Sequence, residues 1–352
     1  MPPKRKAKSS GSDSDDPAPK KGKNSKGKAT APNPTASNQP TNKLLPVTIQ
    51  FPPKKTASSV RISAWNVCGL AASQKKGFKY YVEAEDADIL VLTETKVNNE
   101  PVDPALKARY PNQYWAISTQ RKSYSGTAIL CKEKPLSHSY SLPDHPNPEI
   151  ASGRIVTLEF ESFWLVGTYV VNAGEKLKTL EEKKEWNLYL ARHLHDLDSR
   201  GSKGVIWTGD LNVAPTELDL SNGKKNWNTT AGYTEAETTW FKELLSPPQP
   251  EPSAEQENPP PTEPEAGTTS IVEPAKVGKF VDVWRHLNPT ERKYSYFSYR
   301  FNCRMKGLGW RLDMFILSER ILDAVKMCEI REEIYGGSDH CPIVMEIEFR
   351  ST

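Results

Sequence analysis

"VRISAWNVCGL", residues 60–70, decides how the rest of the chain is read. It opens as a strand, apolar and rich in β-branched and aromatic residues. Asn66 then interrupts the apolar run, Cys68 adds a thiol and Gly69 stops it. Strand ends are where α/β-type proteins keep their chemistry, so an amide and a thiol at this point mark a candidate site.

The pattern recurs along the chain. "ADILVLTE", "GTAILC", "RIVTLEF", "FWLVGTYVV", "KGVIWTGD", "LDMFILS" and "PIVMEIEF" all read as strands. Helical patterns lie between some of them. Trp186, Leu190, Leu194 and Leu197 fall on one helix face, and Thr234 with Glu237 forms a capping box ahead of Trp240, Phe241 and Leu244. Many strands, several hairpins and two sheet-like halves predict an α/β sandwich: two sheets face to face, with helices outside.

Two segments stand apart from this body. Residues 1–56 carry 12 Lys/Arg against 3 Asp, and the first 50 hold no aromatic residue. Such a segment buries too little apolar surface to offset its ordering entropy, so a disordered basic tail is expected. Its clusters "PPKRKAK" and "PKKGK" suit nuclear localisation and non-specific attraction to nucleic acid. Residues 246–276 hold nine prolines and six glutamates, which predicts a disordered acidic insertion within a domain spanning 57–352. The five cysteines are scattered without CxxC spacing, which argues against a disulfide framework or a structural zinc site and for a reducing compartment. No apolar run approaches the roughly 20 residues of a membrane helix, and the N-terminus has no secretory h-region.

Polar groups collect at strand ends. Asn66, Glu94, Tyr169, Asn172, Asp210 and Asn212 follow apolar runs, Asp313 opens one, and Asp339 and His340 precede the last. Carboxylates without Cys or His ligand spacing suit a hard cation such as Mg²⁺. Amides and a phenol suit phosphate oxygens, and an Asp–His pair fixes one protonation state of an imidazole. Together these residue types fit metal-assisted hydrolysis of a phosphate ester. The P-loop, zincin and serine-hydrolase signatures are absent from the sequence.

The ordered set "WNVCGL", "TETK", "YSG", "YVVNAG", "GDLNVA", "GWRLD" and "GSDHCPI" resembles the exonuclease III-type AP endonucleases of the endonuclease/exonuclease/phosphatase superfamily, the animal-type class II enzymes in particular. The likeness covers residues 60–350 apart from the insertion. It implies a four-layered α/β sandwich of two mixed β-sheets flanked by helices. It also implies a nuclear, Mg²⁺-dependent (or Mn²⁺-dependent) monomer of base excision repair, cutting duplex DNA 5′ to an abasic site. Associated 3′-phosphodiesterase and 3′–5′ exonuclease activities follow from the same resemblance, and the tail and insertion become candidate surfaces for repair partners.

Carried over by motif, Glu94 would hold the metal, with Asn66 and Asp339 nearby. Asp210 would activate water with support from Asn212, and His340 paired with Asp313 would stabilise the phosphate. Tyr169 and Asn172 would contact the phosphate. Tyr296, Trp310 and Leu312 would form the pocket for the base-free sugar, and Arg154, Tyr124 and Lys96 would contact or position the DNA. Cys68 stands where the family has Asp or Asn; a thiol is a poor partner for Mg²⁺, which predicts weaker metal affinity with catalysis retained. Two alternatives stay open: a superfamily phosphoesterase acting on other nucleic acid or phosphorylated small molecules, and a catalytically weakened DNA-binding relative.

Overall fold

β1 (Val60–Asn66) and β2 (Ile89–Thr93) pair in parallel, with Asn66 opposite Thr93. Both are buried along their length, as expected for central strands covered on two faces. Around them lie β3 (Asn112–Ala116) and β4 (Thr127–Cys131) on one side, and the C-terminal β11 (Val325–Ile330) and β12 (Ile343–Ile347) on the other. The resulting sheet has six strands in the order β11-β12-β1-β2-β4-β3.

The second sheet repeats the plan. It is built from β5 (Ser137–Ser139), β6 (Ile155–Glu159), β7 (Phe163–Tyr169), β8 (Gly204–Asp210), β9 (Phe280–Asp282) and β10 (Asp313–Ser318). Its order is β5-β6-β7-β8-β10-β9, with β7 and β8 as the central parallel pair. This computed structural model describes residues 45, 47–247 and 278–349.

The sheets pack face to face through Ile62, Val91 and Ile129 from the first and Leu165, Ile206 and Phe315 from the second, all essentially inaccessible to water. The approach is close: a Cβ on Gly167 would lie 2.9 Å from Val91 Cγ1. The seven α-helices among the described residues are α1 (Leu70–Gln74), α2 (Phe78–Glu85), α3 (Pro104–Arg109), α4 (Leu180–Ser199), α5 (Gly223–Asn226), α6 (Glu235–Leu245) and α7 (Val283–Leu287). α2 sets Phe78, Tyr81 and Val82 against Trp65, Leu90 and Leu92 on the outer face of the first sheet. α4 and α6 cover the second: Trp186, Leu190, Leu194 and Leu197 form the expected stripe over Val205, Trp207 and Met314. α6 starts at the expected Thr234–Glu237 capping box. The four-layered sandwich is therefore the observed fold. None of the described helices is long and apolar enough to cross a membrane.

One boundary differs from the sequence expectation. Residues 47–56, assigned above to the tail, lie against the domain. Phe51 meets Tyr81 edge-on at 5.9 Å and carries the Arg331 guanidinium 4.3 Å above its ring. Lys54 pairs with Asp88 at 2.9 Å, and Leu45 is buried against Gly77. A composition average over 56 residues hides these few anchors, and each meets a partner distant in sequence. The rest of the tail, and residues 248–276 of the insertion, lie outside the described residues.

Candidate active site

Strand register builds the centre of the site. In the second sheet Asp210, the last residue of β8, lies opposite Tyr169 of β7 and Asp313 of β10. Gly209 precedes it with φ +129°, and a Cβ there would sit 2.1 Å from the Thr168 carbonyl oxygen, so only glycine fits this strand end. The carboxylate of Asp210 is 2% exposed. Its Oδ2 accepts from Asn66 Nδ2 at 2.8 Å, and its Oδ1 accepts from the Asn212 backbone N–H at 3.0 Å. His340 Nε2 stands 3.9 Å from Oδ2. The other ring nitrogen, Nδ1, donates to Asp313 Oδ2 at 2.7 Å. Ser295 fixes that carboxylate: its hydroxyl donates to Asp313 Oδ2 at 2.7 Å and accepts the N–H groups of Leu312 and Asp313.

These contacts set the charges. Burial pushes the Asp210 carboxyl up to about 7, against the opposing pull of the His340 charge and the Asn66 hydrogen bond. Burial alone would lower His340; the charge and hydrogen bond of Asp313, with Asp210 and Asp339, override it and lift the imidazole to about 10. The site therefore sets an imidazole that favours its charged form beside a carboxyl of raised proton affinity, the property of an effective general base.

The first sheet contributes an acidic edge. Beyond the ends of β1 and β2 the two loops continue side by side, with Gly69 N–H bonded to the Glu94 carbonyl at 2.8 Å and Leu70 N–H to that of Thr95 at 2.9 Å. Cys68 (φ +47°), Glu94 (φ +53°) and Lys96 (φ +54°) are all left-handed there, as is Asn212 (φ +51°) across the cleft. Non-glycine residues adopt this conformation at a cost. Lys96 Nζ lies 2.9 Å from Glu94 Oε1 and 3.9 Å from Cys68 Sγ. Burial pushes the Cys68 thiol up to about 12, helped by Asp339 and Glu94, so it stays protonated.

Among the described residues no group of three or more His, Cys, Asp or Glu side chains converges as a closed metal cage. The hard oxygen donors on this edge are Glu94 and Asp339. Two carboxylates on an open cleft suit Mg²⁺, which keeps several waters and takes one or two protein carboxylates. A protonated thiol offers nothing to such an ion. Asn66, expected near the metal, has both ends of its amide engaged: Nδ2 with Asp210, and Oδ1 with the Cys68 N–H at 2.9 Å.

Between the two edges opens a cleft of ≈ 580 Å³. Tyr296, Trp310 and Leu312 form its apolar side, opposite the 230–232 loop. The Tyr296 main chain exchanges hydrogen bonds with that of Trp310 at 2.8 and 2.9 Å, and its ring lies 4.8 Å from that of His340. Arg311, between Trp310 and Leu312, turns inward to Asp219 at 2.7 Å and Asp282 at 2.6 Å. Tyr169 and Asn172 line the same cleft. Burial, with Glu94 and Asp210, raises the Tyr169 hydroxyl well above its usual value, so it remains a donor. The Asn172 amide donates to Asn212 Oδ1 at 2.8 Å, and Asn212 Nδ2 in turn donates to the Val170 carbonyl.

Arg154 and Tyr124, expected at the DNA, do not line this cleft. Arg154 is buried behind Tyr169, donating to the Tyr124 hydroxyl at 2.6 Å and to the Tyr169 carbonyl at 3.3 Å. Lys96 lines a neighbouring furrow with Cys68. Three supporting residues escaped the sequence analysis. Ser295 carries no local signal; Ser338, the serine of "GSDHCPI", has no role assigned above, and it donates to the Asn66 carbonyl at 2.7 Å and accepts from His340 N–H. Lys183 did carry one: it is a lysine on the buried stripe of α4.

Comparison with known proteins identifies the family of this fold. The Endonuclease/Exonuclease/phosphatase family model matches residues 63–340. A DNA repair nuclease APEX1 of Danio rerio is 37% identical over 309 residues, covering 85% of this chain and 88% of its own. A DNA-(apurinic or apyrimidinic site) endonuclease of Dictyostelium discoideum is 35% identical over 84% of this chain and 73% of that protein. An exodeoxyribonuclease of Bacillus subtilis is 34% identical over 82% and 99%. The crystal structure of an AP endonuclease from Leishmania major shares the fold, with a TM-score of 0.65 at 24% identity over 86% of this chain and 94% of that one. With its six-stranded sheets, its strand-end polar cluster and these relatives, the chain belongs to the Endonuclease/Exonuclease/phosphatase family.

Proposed function

We propose that the protein is a divalent-cation-dependent DNA repair endonuclease that hydrolyses the phosphodiester 5′ to an abasic site, leaving a 3′-hydroxyl and a 5′-deoxyribose phosphate. One observation carries this: the buried Asp210–His340–Asp313 cluster shares a cleft wall with the apolar pocket of Tyr296, Trp310 and Leu312. Asp210 takes a proton from the attacking water, whose oxygen forms the new bond to phosphorus while the bond to the 3′ oxygen breaks, and that oxygen takes up a proton from solvent in the open cleft. Asn66 and the Asn212 N–H hold the Asp210 carboxylate in line. The His340 imidazolium, fixed by Asp313, neutralises charge gathering on the phosphate oxygens, and the Tyr169 hydroxyl donates to the same group. A divalent cation held by Glu94 and Asp339 would supply further charge neutralisation at that phosphate. The apolar side chains of Tyr296, Trp310 and Leu312 suit a flipped sugar that carries no base. The basic clusters of the tail support a nuclear address, and a monomer acting on duplex DNA fits the single open cleft seen among the catalytic residues.

The test is incision of a duplex bearing one tetrahydrofuran residue, set beside an undamaged duplex and a matching RNA, with Mg²⁺ and with EDTA. A single cut 5′ to the lesion, present only with the cation and absent in Asp210→Asn, is expected. An intact lesion duplex alongside a degraded control would instead make the protein a phosphoesterase of another substrate.

A further inference from the structure

Lys183 lies on the inner stripe of α4, among Trp186, Leu190, Leu194 and Leu197, and is 1% exposed. Its ammonium donates to the backbone carbonyl of Asn212 and sits 2.6 Å from Glu237 Oε1, itself on the buried face of α6. Glu237 is saturated: it accepts the Gly232 N–H at 3.0 Å, the Thr234 N–H at 3.2 Å and the Thr234 hydroxyl at 2.8 Å. Gly232 belongs to the loop facing Trp310, and its own carbonyl accepts the Ala214 N–H at 2.8 Å.

We propose that Lys183 is a positioning residue, whose bonds to the Asn212 carbonyl and to Glu237 hold the Asp210–Asn212 turn in register with the pocket loop. The inference rests on Asp210 acting as the base. Asn212 is the vulnerable link, because it is left-handed at φ +51°. Its N–H anchors Asp210 Oδ1 and its side-chain amide anchors Val170, so relaxation to an ordinary backbone angle would swing both away. Only its carbonyl remains to be tied, and Lys183 ties it. A buried ion pair is weak evidence of stabilisation, since apolar side chains of similar volume often serve as well. A lysine buried beside Trp186 and Leu190 is explained by what its ammonium holds. Asp210 also acts on this ammonium, offsetting in part the burial that lowers its proton affinity.

The experiment compares Lys183→Met, Lys183→Arg and the double variant Lys183→Met/Glu237→Gln, the last avoiding an uncompensated buried carboxylate. Each is checked by circular dichroism, and each is assayed for incision of the lesion duplex and for amide hydrogen exchange across residues 210–214. In the folded double variant kcat falls about a hundredfold, as expected for a small misplacement of catalytic groups, while KM moves by less than about threefold. Exchange across the turn accelerates. Lys183→Arg, which keeps the charge and the donors, recovers most of kcat and protection. A folded double variant with wild-type kcat and exchange overturns the inference, as does an arginine variant as impaired as the methionine one. A wild type that never incises the lesion duplex refutes the function proposed above instead, and the exchange measurement still decides whether Lys183 holds the turn.

Discussion

Two buried charge clusters, joined in sequence where Arg311 of one stands two residues before Asp313 of the other, behave in opposite ways. One joins Asp219, Asp282, Arg285 and Arg311 beneath the pocket; the other joins Asp210, Asp313 and His340 at its mouth. In the first, two guanidinium groups face two carboxylates. Asp219 Oδ1 receives Arg285 and Arg311, and Oδ2 receives the Thr216 hydroxyl and N–H. Burial works against the Asp219 charge, but Arg311 and Arg285 override it and hold its carboxyl below the usual range. In the second, one imidazole faces two carboxylates, and Asp210 is left with a high proton affinity. A fully paired cluster is a strut; an under-neutralised one at the same depth is a reagent.

Replacing Asp210 by Asn tests this contrast most severely. Incision falls by roughly 10³–10⁴ with loss of the general base. The thermal midpoint does not drop, because a buried carboxylate has been exchanged for a neutral amide; a midpoint that fell would make Asp210 a strut as well. Arg311→Met does the reverse. Asp282 loses its guanidinium and Asp219 one of its two, which lowers stability by about 3–5 kcal/mol in urea titration. A loss under about 1 kcal/mol would put this network on a par with exposed pairs.

The pH dependences also run in opposite senses. Asp210 has a folded pKa of about 7, raised above the ordinary carboxylate range by burial, so incision rises as pH passes through about 7. Its contribution to stability declines over that same rise, because the folded state holds the proton more tightly. Asp219 has a depressed folded pKa. The stability it contributes is complete above the unfolded value and is lost as pH falls through the lower folded one. Arg311→Met should remove that acid-sensitive part, and an unchanged acid limb in urea titrations would place it elsewhere.

The smallest expected effect is at Cys68. Cys68→Asp supplies a third carboxylate beside Glu94 and Asp339, at a left-handed position that aspartate tolerates. The half-saturating Mg²⁺ concentration should fall about tenfold, with incision at saturation nearly unchanged. An unaltered Mg²⁺ curve would place the ion away from this loop.

Much of the site was legible because its residues end strands. Asn66, Glu94, Asp210, Asp313 and His340 could each be picked out as polar groups beside apolar runs. Their division of labour was not legible. Asn66 serves Asp210 instead of standing free for a metal, and Arg154 props Tyr169 from behind. Both outcomes depend on which neighbour a side chain meets across the sandwich. Lys183 was visible as a lysine on an apolar helix face, yet its partners, Asn212 and Glu237, come from other elements.

By itself the sequence determined the strand runs, the α4 stripe, the α6 cap and the polar residues at the strand ends, because alternation, helical spacing and capping act over a few residues. Only the tertiary structure decided the register that sets Asp210 between Tyr169 and Asp313, the packing that turns Arg311 inward, and the anchoring of residues 47–56. Those depend on contacts between distant segments, whose pairing is chosen by the packing of whole sheets.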